Sequence, residues 1–142
     1  MGHSPKSENY TSNPEDYVLV QGNADIINGW VSPRVWTTQI TSLIKSGSIL
    51  ISVRAPVGNV GKTAYDVVIG RGMAAFEGDE FLYQLLNKMH IEGYWRKVST
   101  GSTFESINSK DIKEASIHLP EHREKDNIGK FLKTLDSYTL LH

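Results

Sequence analysis

Residues 48–56, SILISVRAP, constrain the fold more than any other part of the sequence. The run is almost continuously apolar, contains three isoleucine or valine side chains, and stops at Pro56. Such a run is typical of a buried β-strand, because branched side chains fit a pleated surface and proline ends the pairing. We therefore expect a sheet-based core, and a chain of 142 residues suits one domain built around it.

Shorter patterns on both sides of this run predict further strands and helices. DEFLYQLLNKMH has leucines at helical spacing behind a plausible Asp79 cap, so we expect a helix that packs on the sheet. An α+β fold follows, with a mixed β-sheet and short flanking helices. The other predictions are strands in YVLVQG and GWVSPRVWTT around a turn at Asn28-Gly29, strands in AYDVVIG and GMAAF, an extended GYWRKVSTGSTFESI, and a helical turn in NSKDIKEA.

The two ends of the chain differ from this middle part. Residues 1–16 are polar and turn-rich and read as a tail or loop, and the opening MGHS is typical of an expression-tag scar. SIHLP predicts a closing strand, so the domain would span residues 17–120. Residues 121–142 predict a projecting helix whose narrow apolar seam packs against another helix. That seam consists of Ile128, Phe131, Leu135 and Tyr138.

The composition is that of a soluble globular protein, with 39% hydrophobic and 22% charged residues. There is no cysteine and no apolar run long enough to span a membrane, so we expect a cytoplasmic protein. Pro120 separates His118 from His122, and no metal site is predicted. The net charge is −1, but residues 45–113 contain nine basic and seven acidic residues. This slight excess of positive charge weakly favours a negatively charged partner such as a nucleic acid.

The hexapeptide GNVGKT ends like a phosphate-binding loop. That loop requires a glycine five residues before Gly61, where this chain has Pro56, and a helix after it, where this chain has the strand pattern AYDVVIG. A small nucleotide-binding enzyme is therefore a disfavoured alternative. Two interpretations stay open: a loop between strands with a solvated Lys62, or a surface that meets the phosphates of a nucleic acid.

Five blocks, in this order, resemble the target recognition domain of a type I restriction-modification specificity subunit. They are SGSILISVRAPVGNVGKT, IGRGMAAF, EFLYQLL, STGSTFESINSKDIKEASIHLP and IGKFLKTLD. The resemblance runs from about Tyr17 to the end of the chain. In the family, the helix after the proline usually opens with Glu-Glu-Gln, whereas this chain has Arg123, Glu124 and Lys125.

The resemblance implies a subunit that is not an enzyme and that reads one half of a bipartite sequence in double-stranded DNA. Methyltransferase subunits and a restriction subunit would be its partners and would hold S-adenosylmethionine, ATP and magnesium, with no cofactor in this chain. With one recognition domain and the start of a spacer helix, the chain looks like half of such a subunit. The helix of residues 121–142 would then contact a second copy or a second half. The alternative is a helix-mediated protein-interaction module.

Candidate DNA contacts are sorted by whether they would position the protein or read bases. Phosphate contacts are expected from basic residues in or beside turns, although each could also be solvated surface charge. Arg54 either reads a guanine or pairs internally with Asp66 or Glu105. The STGSTF loop is either DNA-facing or a capped turn, and Trp36, Tyr94 and Trp95 are either a surface beside Arg96 or core. The predicted DNA-binding residues are Arg54, Lys62, Arg71, Arg96, Lys97, Ser102, Thr103 and Lys110.

Overall fold

The computed structural model describes residues 1–99 and 106–116, and within residues 113–116 only the backbone. It contains ten strands and three α-helices in these ranges. The strands are β1 (Tyr10–Thr11), β2 (Tyr17–Val20), β3 (Ile26–Ile27), β4 (Trp30–Val31), β5 (Val35–Thr37), β6 (Leu43–Ile44), β7 (Ile49–Ser52), β8 (Val60–Lys62), β9 (Val67–Ile69) and β10 (Met73–Phe76). The helices are α1 (Glu80–Ile91), α2 (Tyr94–Val98) and α3 (Ser109–Ser116).

The strands form two five-stranded mixed sheets. The first has the order β1-β5-β2-β9-β6, and its central pair, β2 and β9, is parallel. The second has the order β10-β7-β8-β4-β3, in which β8 and β4 are parallel and the other neighbours antiparallel. The predicted α+β class is confirmed, with two mixed sheets rather than one.

The predicted buried strand is β7, and it lies between two hydrophobic clusters. Every residue of β7 is buried. Because successive side chains of a strand point to opposite faces, Ile49 and Ile51 enter one cluster while Leu50 enters the other. This explains why the sequence shows a continuous apolar run instead of an alternating one.

Helix α1 begins where its cap was predicted. The Asp79 side chain accepts a hydrogen bond from the Leu82 backbone N–H at 3.0 Å, which satisfies one of the unpaired donors at the helix start. Leu86 is buried in the cluster that contains Ile51, and Leu82 and Met89 pack against it. The turn predicted at Asn28-Gly29 is also present, with φ values of 53° and 80°.

Residues 1–16 differ from the polar tail expected from sequence. Tyr10 and Thr11 pair with β5, so this segment provides the edge strand of the first sheet. Gly2 is buried, and its backbone N–H donates to the Met73 carbonyl at 3.0 Å. A side chain at Gly2 would collide with the Gly70 carbonyl oxygen, so the chain start is packed tightly against the turn before β10.

The extended conformation expected for residues 94–98 is wrong, because these residues form helix α2. Gly93, at a φ of 77°, lets the chain turn sharply out of α1. Trp95 is 1% exposed and packs in the cluster with Leu86. A five-residue helix has little intrinsic stability, so tertiary burial of Trp95 accounts for it. The closing strand SIHLP and the helix of residues 121–142 lie outside the described residues, apart from Ser116.

Candidate nucleic-acid interface

The loops that follow β2, β7 and β9 lie at one end of the fold. Because β2 and β9 are parallel, residues 21–22 and 70–72 leave the first sheet at the same edge. The Val53 N–H donates to the Gly72 carbonyl at 2.9 Å, which brings residues 53–59 to that edge as well. We call these three loops, residues 21–22, 53–59 and 70–72, the arginine end.

Two exposed arginines lie in these loops. In the antiparallel pair of β7 and β10, Ser52 faces Met73, and the bond between Val53 and Gly72 continues this register by one residue. Arg54 and Arg71 therefore lie at the same end of this strand pair, and both are exposed. The backbone N–H of Arg71 is held by the Ser4 hydroxyl at 3.0 Å.

Helices α1 and α2 pack against the loop of residues 53–59. Gly58 has a φ of 89°, and a Cβ at this position would lie 2.8 Å from Trp95 Cδ1 and 2.9 Å from His90 Nδ1. The close approach therefore requires glycine for both its backbone angle and its lack of a side chain. It places the end of α1 and all of α2 beside the arginine end.

Arg96 and Lys97 are both exposed on α2. Lys97 was expected in or beside a turn, and its position on a helix is a correction. Burial, and after it the positive charge of Arg96, lower the pKa of His90 below its usual value of 6.5. The lowered pKa favours the neutral form of His90, so the formal positive charges here are those of Arg96 and Lys97.

Residues 106 and 107 lie beside Arg54 at the arginine end. Ser106 forms an isolated antiparallel bridge with Arg54, and the Ile107 N–H donates to the Val53 carbonyl at 2.9 Å. Ser102 and Thr103 lie outside the described residues, and Ser106, three positions after Thr103, is bridged to Arg54. Lys110 is exposed near the start of α3, whose Asn108 cap exchanges two hydrogen bonds with Asp111.

The open alternatives for Arg54 and the aromatic residues are partly resolved. Asp66 pairs with Lys45 at 4.0 Å and accepts a hydrogen bond from the Ser46 N–H, so an internal pair between Arg54 and Asp66 is wrong. The other proposed partner, Glu105, lies outside the described residues. Of the aromatic residues, Trp95 is buried, and Trp36 and Tyr94 pack against the hydrophobic clusters, so they are core.

Lys62 does not belong to the arginine end. It is the last residue of β8 rather than part of a turn, and its ammonium forms an ion pair with Glu80. The same nitrogen lies 4.5 Å from the ring centroid of Tyr83 and 5.6 Å from that of Trp30. Glu80 starts α1 and His90 is near its other end, about 15 Å away at the rise of an α-helix. A phosphate contact of Lys62 would require its ammonium to leave these partners.

The GNVGKT stretch does not have the geometry of a phosphate-binding loop. Its residues enter β8, and the next regular element is the strand β9 instead of a helix. The third residue of its GKT ending, Thr63, is 1% exposed, and its hydroxyl is bonded to the Tyr65 backbone. The nucleotide-binding alternative is therefore not favoured.

We expect Lys62 to stabilise the folded protein. Replacing Lys62 with alanine removes the ion pair with Glu80 and both ring contacts, and should lower the free energy of unfolding by about 1–2 kcal/mol. Lys45→Ala is a matched control, because Lys45 is 78% exposed and has only the 4.0 Å pair with Asp66. Urea unfolding gives the free energy of unfolding of both variants and of the parent chain. A Lys62→Ala protein with unchanged stability and weakened DNA binding would contradict this assignment.

Arg34 is a candidate that sequence reasoning missed. Its Nε donates to the Asp25 carboxylate at 2.7 Å, beside Ala55 and Pro56 at the arginine end. Asp25 ends the short 3-10 helix Asn23–Asp25 and Arg34 lies between β4 and β5, nine positions later, so nothing in their spacing indicates a pair. The strand predicted in GWVSPRVWTT included Arg34, and only the structure separates it into β4 and β5 with Arg34 between them.

The described residues contain neither a metal-binding cluster nor a membrane-spanning helix. In residues 1–99 and 106–116, no three histidine, aspartate or glutamate side chains are grouped closely enough to bind a metal ion. No described helix has the length and apolar character needed to cross a membrane. The apolar seam predicted at Ile128, Phe131, Leu135 and Tyr138 lies outside the described residues.

Comparisons with known proteins agree on one family. The family model described as type I restriction modification DNA specificity domain matches residues 2–142. The MjaX type I restriction enzyme specificity subunit of Methanocaldococcus jannaschii is 32% identical, and the alignment covers 96% of this chain and 33% of that protein. The chain thus spans about a third of the length of this relative.

Solved structures give the same result. The HsdS subunit from Thermoanaerobacter tengcongensis superposes with a TM-score of 0.74 at 27% identity, over 99% of this chain and 35% of that one. A chain from a study of assembly and conformational transition of the type I R-M system superposes with a TM-score of 0.80, also at 27% identity, over 99% of this chain and 36% of that one. The fold is that of a specificity domain. This chain belongs to the family of type I restriction-modification DNA specificity domains, which confirms the resemblance seen in the sequence.

Proposed function

We propose that this chain is a target recognition domain that binds one half of a bipartite sequence in double-stranded DNA. The observation that carries the proposal is the arginine end, where Arg54 and Arg71 are exposed together and Arg96 and Lys97 lie on the adjoining helix. Arginine donors at loops can contact both phosphates and base edges. Membership of the specificity-domain family supports this use of the surface.

The domain is non-catalytic in this proposal and works in the cytoplasm as part of a larger complex. Methyltransferase subunits and a restriction subunit would carry out the chemistry, with S-adenosylmethionine, ATP and magnesium bound to them. The domain would place these subunits on DNA. The helix predicted at residues 121–142 would contact them, a second copy of the chain, or a second half-subunit.

Selection from a random DNA pool tests the proposal. The purified chain is incubated with a randomised duplex pool at low and moderate salt, and the retained DNA is sequenced. We expect one short enriched motif, with retention that falls as salt rises, because each phosphate contact contributes a log-log slope near −0.9. Equal retention of all sequences at both salt concentrations, with or without added methyltransferase subunits, would contradict the proposal.

A further inference from the structure

The Asp25 carboxylate is buried and fully engaged. Its side chain is 3% exposed. Oδ2 accepts hydrogen bonds from the backbone N–H groups of Gln21, at 2.8 Å, and Gly22, at 3.3 Å. Oδ1 accepts from Nε of Arg34 at 2.7 Å. Because the same carboxylate is held by the backbone after β2, the position of the Arg34 guanidinium is set by the sheet.

The outer part of the Arg34 side chain faces solvent. The side chain is 52% exposed, and within residues 1–99 and 106–116 its terminal nitrogens have no acceptor. Arg34 lines a cleft of about 340 Å³ together with Ala55 and Pro56, the residues that follow Arg54. A guanidinium fixed through Nε keeps its two Nη groups as a planar, oriented pair of donors.

The charge of the pair favours a base edge over a phosphate as the ligand. Asp25 neutralises Arg34, so the pair as a whole contributes little attraction to a phosphate and releases few counterions. Its directed donors are unaffected by this neutralisation. The O6 and N7 atoms of guanine in the major groove are two neutral acceptors whose spacing matches a guanidinium. Holding the side chain in advance also lowers the entropy lost on binding.

We propose that Arg34, oriented by Asp25, reads one guanine of the DNA half-site through its two terminal nitrogens. This inference rests on the proposed function, because it requires the arginine end to face DNA. It assigns different roles to neighbouring arginines: Arg34 selects a base, whereas Arg71, which has no carboxylate partner among the described residues, contacts phosphate.

The test compares Arg34→Gln with Arg71→Gln in the same duplex selection. Glutamine prefers adenine in the same bidentate geometry. Arg34→Gln should lose a guanine at one position of the enriched motif, with a preference reduced on the order of 10-fold to 100-fold there, and keep the salt slope. Arg71→Gln should keep the motif and lower the slope by about 0.9. Arg34→Lys keeps the positive charge beside Asp25 but lacks the planar pair of terminal nitrogens. It should lose the same preference for guanine, while its thermal unfolding midpoint stays near that of the parent chain.

The outcomes separate this inference from the proposed function. A parent chain that retains no DNA sequence contradicts both. The parent motif could lack any G·C pair, or Arg34→Gln and Arg34→Lys could leave it intact. Either result would contradict the guanine contact of Arg34 without contradicting DNA binding by the domain. A lower salt slope in Arg34→Gln with an intact motif would make Arg34 a phosphate contact and overturn the inference as well.

Discussion

Replacing Ile51 with alanine is expected to lower the free energy of unfolding by about 2–5 kcal/mol. Ile51 is fully buried in β7, the strand between the two hydrophobic clusters, so the lost methyl and methylene groups leave a cavity that rigid neighbours cannot fill. Domains of this size are stable by only about 5–15 kcal/mol, so this one substitution removes a large share. Urea unfolding followed by tryptophan fluorescence measures the loss.

Ile27→Ala is the matched control for this prediction. It deletes the same atoms, but Ile27 is 53% exposed on the edge strand β3. We expect its effect to stay within about 0.5 kcal/mol. If Ile51→Ala is too unstable to purify, Ile51→Val should still cost about 0.5–1.5 kcal/mol. Equal losses at positions 51 and 27 would mean that β7 is not the central strand of the core.

Replacing Arg71 with alanine is expected to weaken DNA binding by about tenfold at low salt, equally for all sequences. Arg71 is exposed in the turn between β9 and β10, and its backbone is held by Ser4, so its charge is presented at a defined place. Each phosphate contact releases condensed counterions, so the log-log salt slope should fall by about 0.9. Fluorescence anisotropy with a labelled duplex, over a range of salt concentrations, measures both quantities.

Lys45→Ala controls for the loss of one positive charge. Lys45 lies beside Asp66 at the start of β9, whereas Arg71 follows the end of that strand, so the two charges are at opposite ends of the first sheet. We expect Lys45→Ala to leave both the affinity and the salt slope nearly unchanged. Equal effects of the two variants would show that net charge, and not the arginine end, governs binding.

Arg54→Ala tests a guanine contact of Arg54 against a phosphate contact and against an internal pair with Glu105, which would change neither the motif nor the salt slope. Arg54 lies two residues after the end of β7, and its backbone forms a bridge with Ser106. A phosphate contact would lower the salt slope and preserve the motif, whereas a guanine contact would remove one base from the motif and preserve the slope. From the exposure of Arg54 at the loop start, we expect the second result.

Elements with a local cause could be predicted from the sequence. The apolar run of β7, the Asp79 cap of α1 and the turn at Asn28-Gly29 depend on neighbours a few residues away, and all three are present in the structure. Helix α2 was missed because its stability comes from the burial of Trp95 against residues distant in the chain. The edge strand β1 was missed for the same reason, since its partner is β5.

The candidate site likewise contains features that the sequence indicated and features that only the structure showed. The sequence alone determined the family and the α+β class, and it indicated Arg54 and Arg71 of the arginine end and Arg96 beside it, because residue type and local pattern are sufficient for these. Only the tertiary structure decided that Lys62 is held by Glu80, and that Arg34 is held by Asp25 beside Pro56. The physical reason is that an ion pair depends on the distance between two charged atoms. The packing of the sheets and helix α1 sets that distance, and separation along the chain does not.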